Sequence, residues 1–211
     1  MVGVAYEYGS SEIARVSAID FLTGEILMDR LVQPMKPVTD WKTEFSGITA
    51  AMMDVAVTTN VALKGWPAAR AELWKYVDAH TILVGHALNH DLSGLGIIHR
   101  LVVDSAILIK GPAKNMKWGL KTLCSELLTM DIRRGIVGHD SVEDTFAARE
   151  VVLWCINNEG RLKIWEQKKK DERFKAQANR ERARNAGRKP SGYNLTEEWN
   201  WSLGYNGYNQ D

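Results

Sequence analysis

Three acidic residues and one histidine stand out by where they fall along the chain. Glu7 is the acidic residue of the apolar stretch VGVAYEY (2–8). If that stretch is a strand, Gly3, Ala5 and Glu7 share one face and Val4, Tyr6 and Tyr8 the other. Asp91 lies in LVGHALNHDLSGL, where a buried strand gives way to a helix, the place at which open α/β sheets bind their ligands. His139 precedes Asp144 by five residues in VGHDSVEDTFAARE, on a glycine-containing loop leading into a helix, so both side chains can reach one cleft. Carboxylate oxygens suit hard divalent cations, and an imidazole exchanges protons near neutral pH. Taken singly, each residue has an ordinary reading. Glu7 is a solvated strand residue, Asp91 and Asp144 are first-turn acids that stabilise a helix N-terminus by about 0.3–1 kcal/mol, and His139 is a surface-loop histidine.

The elements that would bring these residues together can be read from hydrophobic period and punctuation. Residues 2–8, 12–21 and 25–33 read as three strands with turn residues between them, an antiparallel meander. The segment PMKPVTDWKTEFSGITAA reads as a loop, followed by helices at about 49–56 and 67–79, the second with Pro67 at its first helical position. TILVGH (81–86) is a buried strand, followed by a helix near 90–99 and a strand at about 101–108, which implies a parallel βαβ unit. Helices at about 119–129 and from Ser141 onward follow, with Ser141 as the cap and Glu143 and Asp144 in the first turn. The expected architecture is α/β, a mixed β-sheet flanked by α-helices, in the order βββ-α-β-α-β-α-α.

With these motifs in place, the chain resembles the DEDDh 3′→5′ exonucleases of the Rex (RNA exonuclease) type, carried on a ribonuclease H-like fold. The first motif of that branch reads approximately DCEM, the second contains GHxxxxDL and the third is HDxxEDxxA. Here they stand as AYEY (5–8), GHALNHDL (85–92) and HDSVEDTFA (139–147). SGIT (46–49), WGLKTLC (118–124) and the motif spacing look like the fungal members, so the resemblance covers roughly residues 2–157. It implies that Glu7 and Asp144 hold the ion that activates water, that Asp91 helps hold the ion beside the leaving oxygen, and that His139 is the general base. Two such ions, Mg²⁺ or Mn²⁺, typically sit about 3.5–4 Å apart. It also implies nucleic-acid contacts at Tyr8, His86, Ser46 and Gly47, and a single-stranded RNA or DNA 3′ end as the partner. The departure is Ala5, which stands where the family carries an aspartate ligand. Alanine offers no ligand, so the expectation is an inactive or weakly active exoribonuclease domain, with a pseudo-nuclease that binds RNA or protein as the alternative.

Composition limits the remaining possibilities. The length of 211 residues suits one compact domain with an appendage, and no apolar run approaches the roughly 20 residues of a membrane span. MVGVAYEYG lacks the pattern of a secretory signal, so the expected location is intracellular, nuclear or cytoplasmic, with no membrane partner. Cys124 and Cys155 form no CxxC or Cys/His cluster and read as core residues. The net charge of +1 conceals an asymmetry: 15 Lys and Arg against 18 Asp and Glu in residues 1–158, but 12 against 5 in residues 159–190. The expected organisation is therefore an exonuclease domain over 1–158, a basic helical extension over 159–190 and an aromatic-rich segment over 191–211. Trp165 and Phe174 are nine apart and form no continuous apolar stripe. The extension reads as a solvated helix, an RNA-phosphate contact, or a surface for a protein partner or self-association.

Overall fold

The computed structural model describes residues 1–5, 11–109, 111, 116–132 and 138–185. Glu7, Tyr8 and the segment 191–211 lie outside the described residues. Strands β1 (Val2–Ala5), β2 (Ser11–Ile19) and β3 (Ile26–Gln33) form the expected antiparallel meander. The β2–β3 turn is made by Asp20, whose Oδ1 accepts from the N–H groups of Leu22 and Thr23, and by Gly24 at φ 77°.

The stretch read as a loop contains a four-residue helix, α1 (Thr43–Ser46), ended by Gly47 at φ 68°. Then come α2 (Ala50–Thr58), β4 (Leu63–Lys64) and α3 (Gly65–Leu73). β4 adds to β3 in parallel, completing a four-stranded sheet in the order β1-β2-β3-β4. Two residues carry too short a period to be read as a strand beforehand. Pro67 is the third residue of α3, where its missing N–H still costs nothing.

The βαβ unit is present as β5 (Leu83–Gly85), α4 (Leu88–Gly94) and β6 (Val102–Asp104), with β5 and β6 parallel. The strand expected over 101–108 stops at Asp104. Its carboxylate accepts from Ala106 N–H at 2.9 Å and starts α5 (Ser105–Leu108). Helices α6 (Leu120–Leu128), α7 (Ser141–Asn157) and α8 (Glu159–Asn185) complete the chain. The cap of α7 is Asp140, which accepts from Val142 N–H at 2.9 Å, and Ser141 is the first helical residue.

Helices α2 and α3 pack on the meander, and α7 packs against β2 and β5. One core joins Ile13, Val16, Met28 and Val32 of the sheet to Ala69 and Leu73 of α3, and a second joins α6, α7 and Leu162 of α8. Both cysteines are buried in the second core, where burial pushes the Cys155 thiol up to about 11 and keeps it unreactive at neutral pH. Among the described residues, no helix is long and apolar enough to cross a membrane.

Candidate active site

The start of α7 holds the most complete part of the site. Asp140 closes the helix N-terminus, and its carbonyl accepts from Asp144 N–H at 2.9 Å, so Asp144 sits in the first turn. His139, the residue before the cap, places Nδ1 3.2 Å from Asp144 Oδ2. Its backbone N–H donates to Phe45 O at 2.7 Å, which fastens the loop to α1. Gly138, at φ 63°, lies so close to this turn that an added Cβ would stand 2.2 Å from Gly47 N, and no other residue fits there. The structure therefore brings His139, Asp144 and the Ser46–Gly47 turn together.

Ser46 and Gly47 build that turn and do not present side chains to a ligand. Ser46 is 2% exposed; its Oγ donates to Trp41 O at 2.7 Å and accepts from Ile48 N–H at 3.0 Å. The hydroxyl is thus spent inside the protein, and Gly47 serves as the left-handed stop of α1.

Asp91 lies in the first turn of α4. Burial pushes its carboxyl above the usual range, against the pull of the Met1 amino group 3.3 Å from Oδ1. The position of α4 depends on Asp104, which the sequence reading passed over. Asp104 accepts from Ala87 N–H at 2.8 Å and Leu88 N–H at 3.0 Å as well as from Ala106, so one buried carboxylate caps both α4 and α5. The signal for it was Asp-Ser at a strand end, the usual composition of an N-cap. His86, from the same motif as Asp91, places Nδ1 2.8 Å from Ser105 Oγ, and that hydroxyl donates to Gly85 O at 3.2 Å. α7 packs on β5, the strand that leads into α4, but Asp91 is not gathered with His139 and Asp144 into one cluster among the described residues.

Ala5 ends β1 with its backbone tied to Thr39 and Asp40: its N–H donates to Asp40 O at 2.9 Å and its carbonyl accepts from Thr39 N–H at 3.1 Å. It supplies no side-chain donor. Among the described residues no group of three His, Cys, Asp or Glu side chains is assembled to hold a metal. The structure brings His139 and Asp144 together as a pair and carries Asp91 separately on α4, and carboxylates of this kind are of a type suited to a hard divalent ion.

The family model for exonucleases (RNase_T) matches residues 5–152 of this chain. RNA exonuclease 3 of Candida albicans is 30% identical over 165 residues, covering 74% of this chain and 38% of that protein. RNA exonuclease 3 of Eremothecium gossypii is 35% identical over 151 residues, covering 71% of this chain and 37% of that protein. The chain thus spans under two fifths of either relative. Among solved structures, the Neurospora crassa Pan2 catalytic unit (protease and nuclease domain) superposes with TM-score 0.64 at 24% identity, covering 75% of this chain and 26% of that one. The Saccharomyces cerevisiae Pan2 pseudoubiquitin hydrolase-RNA exonuclease module in complex with AAUUAA RNA superposes with TM-score 0.65 at 22% identity, covering 90% and 32%. At such identities the solved structures establish the ribonuclease H-like fold, a mixed sheet flanked by helices. The match across residues 5–152 carries further, and this chain belongs to the exonuclease (RNase_T) family.

Proposed function

We propose that the chain is a DEDDh-type 3′→5′ exonuclease domain acting on single-stranded RNA, with turnover depressed by Ala5. The observation that carries this reading is the His139–Asp144 pair, 3.2 Å apart at the start of α7 in a chain of nuclease family. Asp144 accepts from Nδ1–H and so leaves Nε2 as the basic nitrogen. His139 then takes a proton from a water whose oxygen attacks the terminal phosphate. As the new P–O bond forms, the bond to the 3′-oxygen of the preceding nucleotide breaks, that oxygen receives a proton, and a nucleoside 5′-monophosphate leaves. Asp91, Asp144 and Glu7 are the residues that would hold Mg²⁺ or Mn²⁺, which in this chemistry supplies charge neutralisation at the phosphate and a more acidic water. The AAUUAA RNA in the complex of the yeast Pan2 module supports RNA as the substrate class.

The deciding experiment is a gel assay on 5′-labelled single-stranded RNA and DNA with Mg²⁺ or Mn²⁺, run for this chain and for Ala5→Asp. Stepwise shortening of RNA by Ala5→Asp, abolished by chelator and by His139→Ala, is the expected result. Folded Ala5→Asp protein that leaves both polymers intact with either metal would make the chain a binding module for RNA or protein.

A further inference from the structure

Arg15 lies within β2, outside every motif singled out from the sequence. Its Nε and Nη2 donate to Oδ1 and Oδ2 of Asp29, each at 2.8 Å, and Ser17 Oγ donates to the same Oδ1 at 2.8 Å. Ser17 and Asp29 are register partners across β2 and β3, and Arg15 stands two residues along β2 on their face. A bidentate fork on a sheet-borne carboxylate has little freedom to reorient. The hydrogen bond from Arg15 holds the Asp29 carboxyl below the usual carboxylate range, and Ser17 adds to the effect.

The same Nη2 stands 3.5 Å from Asp140 Oδ1, the oxygen that caps α7 through Val142 N–H. His139 and Asp144 are tied to Asp140 from either side, one by the peptide bond and the other by the helical hydrogen bond to its carbonyl. α7 as a whole is held to the sheet by its packing on β2 and β5 and by Arg149, whose Nε donates to Phe21 O at 2.6 Å. His139 N–H fastens the loop to Phe45, but none of these contacts engages the Asp140 carboxylate itself. Arg15 supplies the link from Asp140 to the sheet.

We propose that Arg15, held by Asp29, is a positioning residue that sets the His139–Asp144 separation through Asp140. This rests on reading His139 as the general base of an exonuclease. Arg15 touches neither side chain of the pair, so its effect is on geometry, and misplacement of a reacting group by about an ångström can cost on the order of a hundredfold in rate.

Asp140→Asn is the informative variant, because asparagine caps a helix about as well as aspartate but offers Arg15 no charge. In the Ala5→Asp background, Asp140→Asn is expected to lower kcat on the order of tenfold to a hundredfold, leaving KM for RNA and Tm unchanged. Arg15→Lys, which keeps the charge without the fork, should lose less kcat than Arg15→Gln. In the chain as it stands, long-range proton–nitrogen correlation of the His139 ring should show one protonated Nδ1, and Asp140→Asn should show a mixture of tautomers. Unchanged kcat and an unchanged ring spectrum in Asp140→Asn would overturn the proposal. An inert Ala5→Asp parent would overturn the catalytic reading instead, and the ring spectrum alone would then decide whether Arg15 sets the pair.

Discussion

Ala5 is a small residue at a position where the family resemblance asks for a ligand, and its consequences separate cleanly from those of its neighbours. Its backbone is satisfied by Thr39 and Asp40, so Ala5→Asp changes the side chain without disturbing the β1 end. If the missing carboxylate is worth about 4 kcal/mol in the transition state, restoring it should raise the rate by roughly three decades in a single-turnover assay with Mn²⁺. A rise of less than tenfold in a well-folded variant would count against a two-ion site. Asp91 makes the opposite kind of case, since burial raises its carboxyl above the usual range. A carboxyl whose folded pKa exceeds its unfolded value costs stability once pH rises past the unfolded value, so at neutral pH the cost is present. Asp91→Asn is therefore expected to raise Tm of the metal-free protein by a few degrees while removing metal response, and a fall in Tm would mean that the contact with the Met1 amino group outweighs the burial cost.

The element whose role changed most between sequence and structure is α8. Its first half is part of the domain: Leu162 is buried with α6 and α7, Trp165 lies 5.1 Å from Trp118 in a tilted ring contact, and Lys169 pairs with Glu126 at 2.6 Å. Trp165 Nε1 donates to the same Glu126 at 3.2 Å. Phe174, further along, is 76% exposed. Leu162, Trp165 and Lys169 recur at helical spacing on one face, which a search for Trp and Phe alone does not detect. Leu162→Ala should cost about 2–3 kcal/mol by chemical denaturation, and ending the chain at residue 158 should cost more. Ending it at residue 175 should leave the denaturation midpoint unchanged. Equal stability of all these forms would return the whole of α8 to the status of a solvated appendage.

At the scale of the whole molecule, charge distribution is the property that remains to act. Residues 176–190, beyond the packed half of α8, carry five Lys and Arg against one Glu, so replacing those five by Gln should lower RNA affinity by fluorescence anisotropy more at low salt than at high salt. Equal affinity at low salt would leave this end with a structural or protein-binding role. Stability against acid has a separate origin. Asp29 is held below the usual range by Arg15, and a carboxylate with a depressed folded pKa contributes stability above its unfolded value that is lost as pH falls through the folded one. Arg15→Gln removes that contribution, so the Tm difference from the parent should be full above about pH 5 and shrink as pH falls below about 4. A difference that stays constant down to pH 3 would assign the loss to packing.

The sequence alone determined the meander, the βαβ unit and the exonuclease family, because strand and helix periods are local, and it singled out His139 and Asp144, which the fold sets 3.2 Å apart. It also placed both cysteines in the core. What it left undecided are contacts between residues distant along the chain. The two-residue β4 exists because β3 offers it a partner, Asp104 caps α4 because β5 and β6 lie side by side, and Arg15 reaches Asp140 because α7 packs on β2. Ser46 shows the same limit from the other direction: its motif suggested a ligand contact, and the fold of α1 buries its hydroxyl in a turn. A side chain's type constrains what chemistry it can do, but its partners are chosen by packing, and only the tertiary structure brings those partners within bonding distance.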